Sequence, residues 1–176
     1  MKRAVFFDKD GTLVENLPYN VDPARIVLSP GAAEAVGAFA ERGYRVIVVS
    51  NQPGVALGKF REAELRKVEK RLGELLPRLD GFYYCPHSPY AGCQCRKPAP
   101  GLLERAALEH GIELAESWMV GDILDDVEAG RAAGCRTVLL DNGNETEWDV
   151  TPERVPDLVA HDFAELAALV LEQELA

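Results

Sequence analysis

Asp8 and Asp10 stand one residue apart at the end of a short apolar run and are followed by Gly11 and Thr12. Side chains alternate along a strand, so two acids at this spacing project to the same side. Neighbouring carboxylates repel, and a bound cation or a shared proton relieves the repulsion. Gly11 permits a sharp turn, and Thr12 offers a hydroxyl to tie it down. Three more acids, Asp122, Asp125 and Asp126, follow the apolar run Trp118 to Gly121; Ser50 and Asn51 end a third run, and Lys97 leads into a helical stretch. Singly, each is an ordinary loop or capping residue, since acids are favoured at helix N-termini. Together, at successive strand ends, they suit a divalent cation and a phosphate. Asp8 and Asp122 offer the hard oxygen ligands that magnesium prefers. Ser50 can hydrogen-bond one phosphoryl oxygen and Lys97 can neutralise another, which leaves Asp10 to carry a proton.

A second constellation is Cys85-x-His87-x5-Cys93-x-Cys95. Three thiolates and an imidazole suit a closed tetrahedral zinc site. Cys93 and Cys95 are too near in sequence for an easy mutual disulfide. Zinc here would knot residues 85–95 into a loop that carries Arg96 and Lys97. Cys135 has no partner nearby in sequence and reads as a core thiol, while His110 and His161 read as helix-end or surface residues.

The elements that must hold these groups follow from apolar patterning. Ala4 to Phe7 reads as a buried strand. Pro30-Gly31 opens a helix in which Ala32, Ala33, Val36, Phe39 and Ala40 recur at helical spacing, and Gly43 stops it. Arg45 to Ser50 is a continuous β-branched run, as in a strand covered on both faces. The remaining pattern predicts helices over 61–79, 98–109, 127–133 and 162–175, and strands over 81–85, 118–122 and 137–140. Alternation of strand and helix means an α/β protein with a three-layer, Rossmann-like parallel sheet. In such sheets ligands bind beyond the carboxyl ends of the strands, which is where the acids, Ser50 and Lys97 fall.

The chain has 176 residues, the length of a single domain spanning 1–176, with 47% apolar and 27% charged residues. A net charge of −10 argues against a nucleic-acid surface. It leaves room for a small phosphorylated substrate, because a metal and a few placed cations reverse the field locally. No apolar run is long enough for a bilayer. Only four apolar residues separate Arg3 from Asp8, too few for a secretory leader. The expectation is a cytoplasmic monomer with no membrane and no nucleic-acid partner.

Asp8-x-Asp10-Gly11-Thr12, the strand ending in Ser50, Lys97, and Gly121-Asp122-x-x-x-Asp126 resemble the four motifs of the haloacid dehalogenase (HAD) superfamily of phosphohydrolases. The likeness runs almost end to end. The stretches SNQPGVALGKF, YYCPH, CQCRKP and MVGDILDDVEAG are similar to the branch that acts on heptose bisphosphate or histidinol phosphate. The resemblance implies a HAD fold without a large cap domain. It implies Asp8 as nucleophile, Asp10 as acid and then base, and Ser50 and Lys97 on the phosphoryl oxygens. Mg2+ would sit on Asp8, the backbone carbonyl of Asp10 and Asp122, with Asp126 behind them, and Zn2+ on Cys85, His87, Cys93 and Cys95. Asn16, Tyr19, Asn51, Gln52 and Arg96 match substrate-contacting positions. Leu57 and Ile123 replace cations common on the heptose side, and the five residues between His87 and Cys93 match the histidinol side. The surrounding sequence favours heptose bisphosphate, with histidinol phosphate as the alternative. A receiver-like module also joins an acidic pocket to a lysine, but the Asp-x-Asp-Gly-Thr spacing and the zinc loop do not suit it. A zinc-knuckle nucleic-acid binder conflicts with the acidic charge.

Overall fold

A computed structural model describes residues 1–175. Six strands form one sheet in the order β3-β2-β1-β4-β5-β6. They are β1 (Ala4–Phe7), β2 (Arg45–Asn51), β3 (Gly81–Cys85), β4 (Trp118–Gly121), β5 (Arg136–Leu140) and β6 (Leu158–Ala160). Every neighbouring pair is parallel. The expected three-layer α/β sheet is therefore present.

The period-two alternation of the strands decides the layers. Val5 and Phe7 join Val46, Val48 and Val120 in a core covered by α1 (Ala32–Glu41), α2 (Glu62–Leu75) and α5 (Phe163–Glu172). Ala4 and Phe6 join Ile47, Val49 and Met119 in a second core under α3 (Gly101–His110) and α4 (Leu124–Ala133). Chain order explains this division. From β1 the chain moves outward through β2 to β3, returns to β4, and moves outward in the opposite direction. Crossovers of one hand then put α3 and α4 on the other face, while α5, which follows the last strand, packs on the first. The reversal lies between β1 and β4, and the crevice at their carboxyl ends is the natural ligand site of an open sheet.

Several elements depart from the sequence expectation: α2 ends at Leu75 rather than 79, α3 begins at Gly101 rather than 98, and α5 ends at Glu172 rather than 175. β6 lies where no strand is expected: three residues are too few to show a period, and it forms by pairing with β5 from Val138↔Leu158 to Leu140↔Ala160. Helix α4 begins at Leu124 rather than Val127, because the Asp126 carboxylate accepts the Ile123 backbone N–H at 3.3 Å and caps an earlier turn. No helix among the described residues is long and apolar enough to cross a membrane.

Candidate active site

Three carboxylates meet at the crevice. Asp8 follows β1, and Asp122 and Asp126 flank the junction of β4 and α4; an oxygen from each lies within 4.8 Å of the others. Two glycines make the approach possible. A Cβ on Gly121 would lie 2.2 Å from Asp126 Oδ2, and one on Gly11, at φ +84°, would lie 2.5 Å from Asp122 Oδ2. Thr12 Oγ1 stands 3.2 Å from Asp8 Oδ2 and 3.1 Å from Asp122 Oδ1, donating one proton across the pair. Asn144 Nδ2 donates to Asp122 Oδ2 at 2.8 Å, and Asn142 Nδ2 donates to the Gly11 carbonyl at 2.8 Å.

Lys97 enters this cluster from the loop between β3 and α3. Its Nζ donates to Asp8 Oδ1 at 2.6 Å and to Asp126 Oδ1 at 2.7 Å, with the side chain only 3% exposed. Burial opposes its charge, but Asp126 and Asp8 outweigh burial and hold the ammonium above its usual value. One lysine cannot balance three acids. Asp122 is pushed up to about 8 by burial, with the charges of Asp8 and Asp126 adding to it. Asp126 is pushed up to about 7, again by burial first and Asp8 second, with Lys97 opposing. Buried, oxygen-only and over-supplied with negative charge, the cluster fits a hard divalent cation.

The backbone of Lys97 is clamped as firmly as its side chain. Asn51 Nδ2 donates to the Lys97 carbonyl at 3.1 Å, and the Lys97 N–H donates to Asn51 Oδ1 at 2.9 Å. Asp10 is held by two donors: Lys9 Nζ at 2.6 Å from Oδ1 and Gln52 Nε2 at 3.0 Å from Oδ2. The same Gln52 nitrogen donates to Ser50 Oγ at 2.8 Å.

A cavity of about 300 Å³ opens over the cluster, lined among others by Asp8, Asp10, Asn16, Asn51, Arg96 and Asp122. Arg96 Nη1 is buried there with no hydrogen-bond partner among the described residues. Three of the expected residues sit differently. Gln52 and Ser50 are buried behind Asp10, with both amide donors of Gln52 engaged on Asp10 and Ser50. Tyr19 is half exposed at φ +56°, outside the cavity lining, with Lys59 Nζ 5.6 Å from its ring. Lys9, Asn142 and Asn144 are brought to the site although the sequence pattern does not single them out. For Lys9 the available signal is a charged residue between two acids at a buried strand end.

The cysteine loop closes on itself. Cys85 Sγ lies 3.6 Å from Cys93 Sγ and 3.3 Å from His87 Nδ1, which is 3.2 Å from Cys95 Sγ. Tetrahedral zinc would need edges of about 3.8 Å between sulfurs and about 3.5 Å from sulfur to nitrogen. All four residues share one cluster within 4.8 Å, so the donor set fits zinc. Cys93 is held at about 6; burial opposes this, and the Arg96 N–H outweighs it together with its cysteine neighbours.

Comparison with known proteins follows the same lines. The HAD-hydrolase-like family model matches residues 94–166. The D-glycero-beta-D-manno-heptose-1,7-bisphosphate 7-phosphatase of Pseudomonas aeruginosa is 33% identical over 96% of this chain and 97% of its own. The Escherichia coli K12 enzyme of the same name is 35% identical over 97% of this chain and 95% of its own. The chain belongs to the HAD-like hydrolases and, within them, to the phosphatases. Among solved structures, a D,D-heptose 1,7-bisphosphate phosphatase from B. bronchiseptica, complexed with magnesium and phosphate, superposes with a TM-score of 0.81. It is 29% identical and covers 98% of this chain and 99% of its own.

Proposed function

We propose that the chain is a magnesium-dependent phosphatase that removes the 7-phosphate of D-glycero-D-manno-heptose 1,7-bisphosphate through a phosphorylated Asp8. The observation that carries this reading is the meeting of Asp8, Lys97 and Asp122 at one cavity, with Lys97 bonded to Asp8 at 2.6 Å. The Asp8 carboxylate attacks phosphorus, the bond from phosphorus to the C7 oxygen breaks, and Asp10 gives its proton to that oxygen. Asp10 then takes a proton from a water whose oxygen attacks the same phosphorus. The bond to Asp8 breaks and inorganic phosphate leaves. Ester and water have become alcohol and phosphate, with both acids returned to their starting forms.

Phosphoryl transfer depends on position and on charge at the equatorial oxygens more than on elaborate covalent chemistry. Lys97 supplies one cation, and the unpartnered nitrogen of Arg96 is a second donor to the substrate. The Ser50 hydroxyl accepts from Gln52 at 2.8 Å and donates to the Asn51 carbonyl at 3.5 Å, a long bond that it would give up for a phosphoryl oxygen. Asn16 and Asn51, which line the cavity, meet the sugar, whereas Tyr19 lies outside it. Asp8, the Asp10 carbonyl and Asp122 would hold magnesium, while Asp126, with both oxygens engaged on Lys97 and the Ile123 N–H, supports from behind. When bound, magnesium supplies the positive charge that lets a carboxylate approach an anionic ester. Zinc on Cys85, His87, Cys93 and Cys95 would hold the loop that delivers Arg96 and Lys97.

The relatives' shared name and the shared length support heptose bisphosphate as substrate. Steady-state rates on heptose 1,7-bisphosphate, fructose 1,6-bisphosphate and histidinol phosphate, each with magnesium, test it. Heptose bisphosphate is expected to lead. A tenfold preference for histidinol phosphate, about 1.4 kcal/mol, would overturn the choice. Asp8→Asn should abolish turnover with an unchanged far-UV spectrum; normal turnover would end the nucleophile assignment.

A further inference from the structure

Lys9 is a buried lysine that the reaction as written does not use. It is 3% exposed, and Asp10 is its only ion-pair partner among the described residues, at 2.6 Å. Burying an ammonium is costly unless it is paired and hydrogen-bonded. A lysine placed here for the fold alone would be replaceable by any apolar side chain of its size. The two oxygens of Asp10 are held unequally. Lys9 grips Oδ1 with a short, charged hydrogen bond, and Gln52 reaches Oδ2 at 3.0 Å with a neutral amide. Charge-assisted hydrogen bonds are roughly twice as strong as neutral ones. An acid that delivers a proton needs one oxygen free of donors at that moment, and Oδ2 is the one released at lower cost.

We propose that Lys9 is a positioning residue for the acid–base group, anchoring Asp10 by Oδ1 so that Oδ2 carries the proton to the leaving oxygen. Gln52 is the yielding partner: its neutral amide, at 3.0 Å, gives up Oδ2 more readily than the Lys9 ammonium, at 2.6 Å, gives up Oδ1. Ser50, the other acceptor of that nitrogen, keeps Gln52 beside the site throughout. Lys9 is not part of the cavity lining and acts through Asp10 alone. The inference rests on the phosphatase reading above and adds to it which oxygen works and what aims it.

The test is a ratio. The 7-phosphate of heptose bisphosphate is a primary alkyl ester, whose leaving oxygen needs a proton; p-nitrophenyl phosphate has a leaving group that does not. kcat/KM for each reports the first displacement only, and their ratio in one preparation is independent of how much of the variant is folded. General acid catalysis is worth about 10²–10⁴-fold, so Lys9→Met should lower the alkyl-to-aryl ratio by about 10–100-fold. Lys9→Arg, which keeps the charge and the donor, should restore most of it. In an Asp10→Asn background, Lys9→Met should not change the ratio further. An equal loss on both esters, or a loss of ratio that persists without Asp10, overturns the role of Lys9 and leaves the phosphatase reading standing. If Asp10→Asn itself leaves the ratio unmoved, the acid–base role of Asp10 falls and that of Lys9 falls with it.

Discussion

Deleting the ammonium of Lys97 separates the electrostatics of the site from its chemistry. Lys97→Met keeps much of the side-chain volume and removes the charge that lies 2.6 Å from Asp8 and 2.7 Å from Asp126. Three buried carboxylates then face one another within 4.8 Å, with no cation of the described residues paired to them. Removing one partner of a buried ion pair costs about 3–5 kcal/mol. That is a large share of the roughly 5–15 kcal/mol by which a domain is stable. With a urea dependence of about 2 kcal/mol per molar, the midpoint should fall by about 2 M. The fluorescence of buried Trp118 can follow the transition, in buffer that contains zinc and no magnesium.

The loss should depend on pH in a stated direction. Asp122 and Asp126, raised to about 8 and about 7, take up protons as the pH falls. A carboxyl whose value is raised by folding favours the fold below its unfolded value, and that contribution is lost as pH rises through the folded one. Lys97→Met should therefore cost most near pH 9 and clearly less near pH 6, where protons take the place of the missing cation. Magnesium at about 100 times its Kd should return about 2.7 kcal/mol. A fall of under about 1 kcal/mol near pH 9, the worth of an exposed pair, would refute the reasoning. So would an equal fall at both pH values.

Gly121→Ala places a Cβ 2.2 Å from the Asp126 carboxylate, so Asp126 must move and Lys97 with it. Overpacking of this kind costs about 1–3 kcal/mol, and turnover should fall at least about tenfold because a misplaced catalytic group forfeits proximity. Gly73→Ala, in the last turn of α2 with open space around it, should instead gain up to about 0.5–1 kcal/mol and leave turnover alone. Stripping zinc with a zinc-selective chelator and assaying in excess magnesium should raise KM before Trp118 fluorescence changes, since the loop carries Arg96 and Lys97. An unchanged KM in zinc-free protein would remove that role.

Much of this protein is legible in its residues alone. The β-branched run Arg45 to Ser50, the helical spacing of Ala32 to Ala40 and the short apolar run of β1 are local signals, and local signals dictate strand and helix. The acid pair at a strand end and the Cys-x-His, Cys-x-Cys spacing are local too, because two residues apart on a strand or a tight loop are neighbours in any fold. What the tertiary structure alone decided is what those groups meet. The order of the sheet brings Thr12 to Asp122 across 110 positions and Asn144 to Gly11 across 133. Strand β6 exists only because β5 offers it an edge. Gln52 becomes a partner of Asp10, and Asn51 becomes the clamp on Lys97, through contacts that no spacing announces. Periodicity encodes which face a side chain takes, whereas a hydrogen bond between distant segments depends on how the whole sheet is wound.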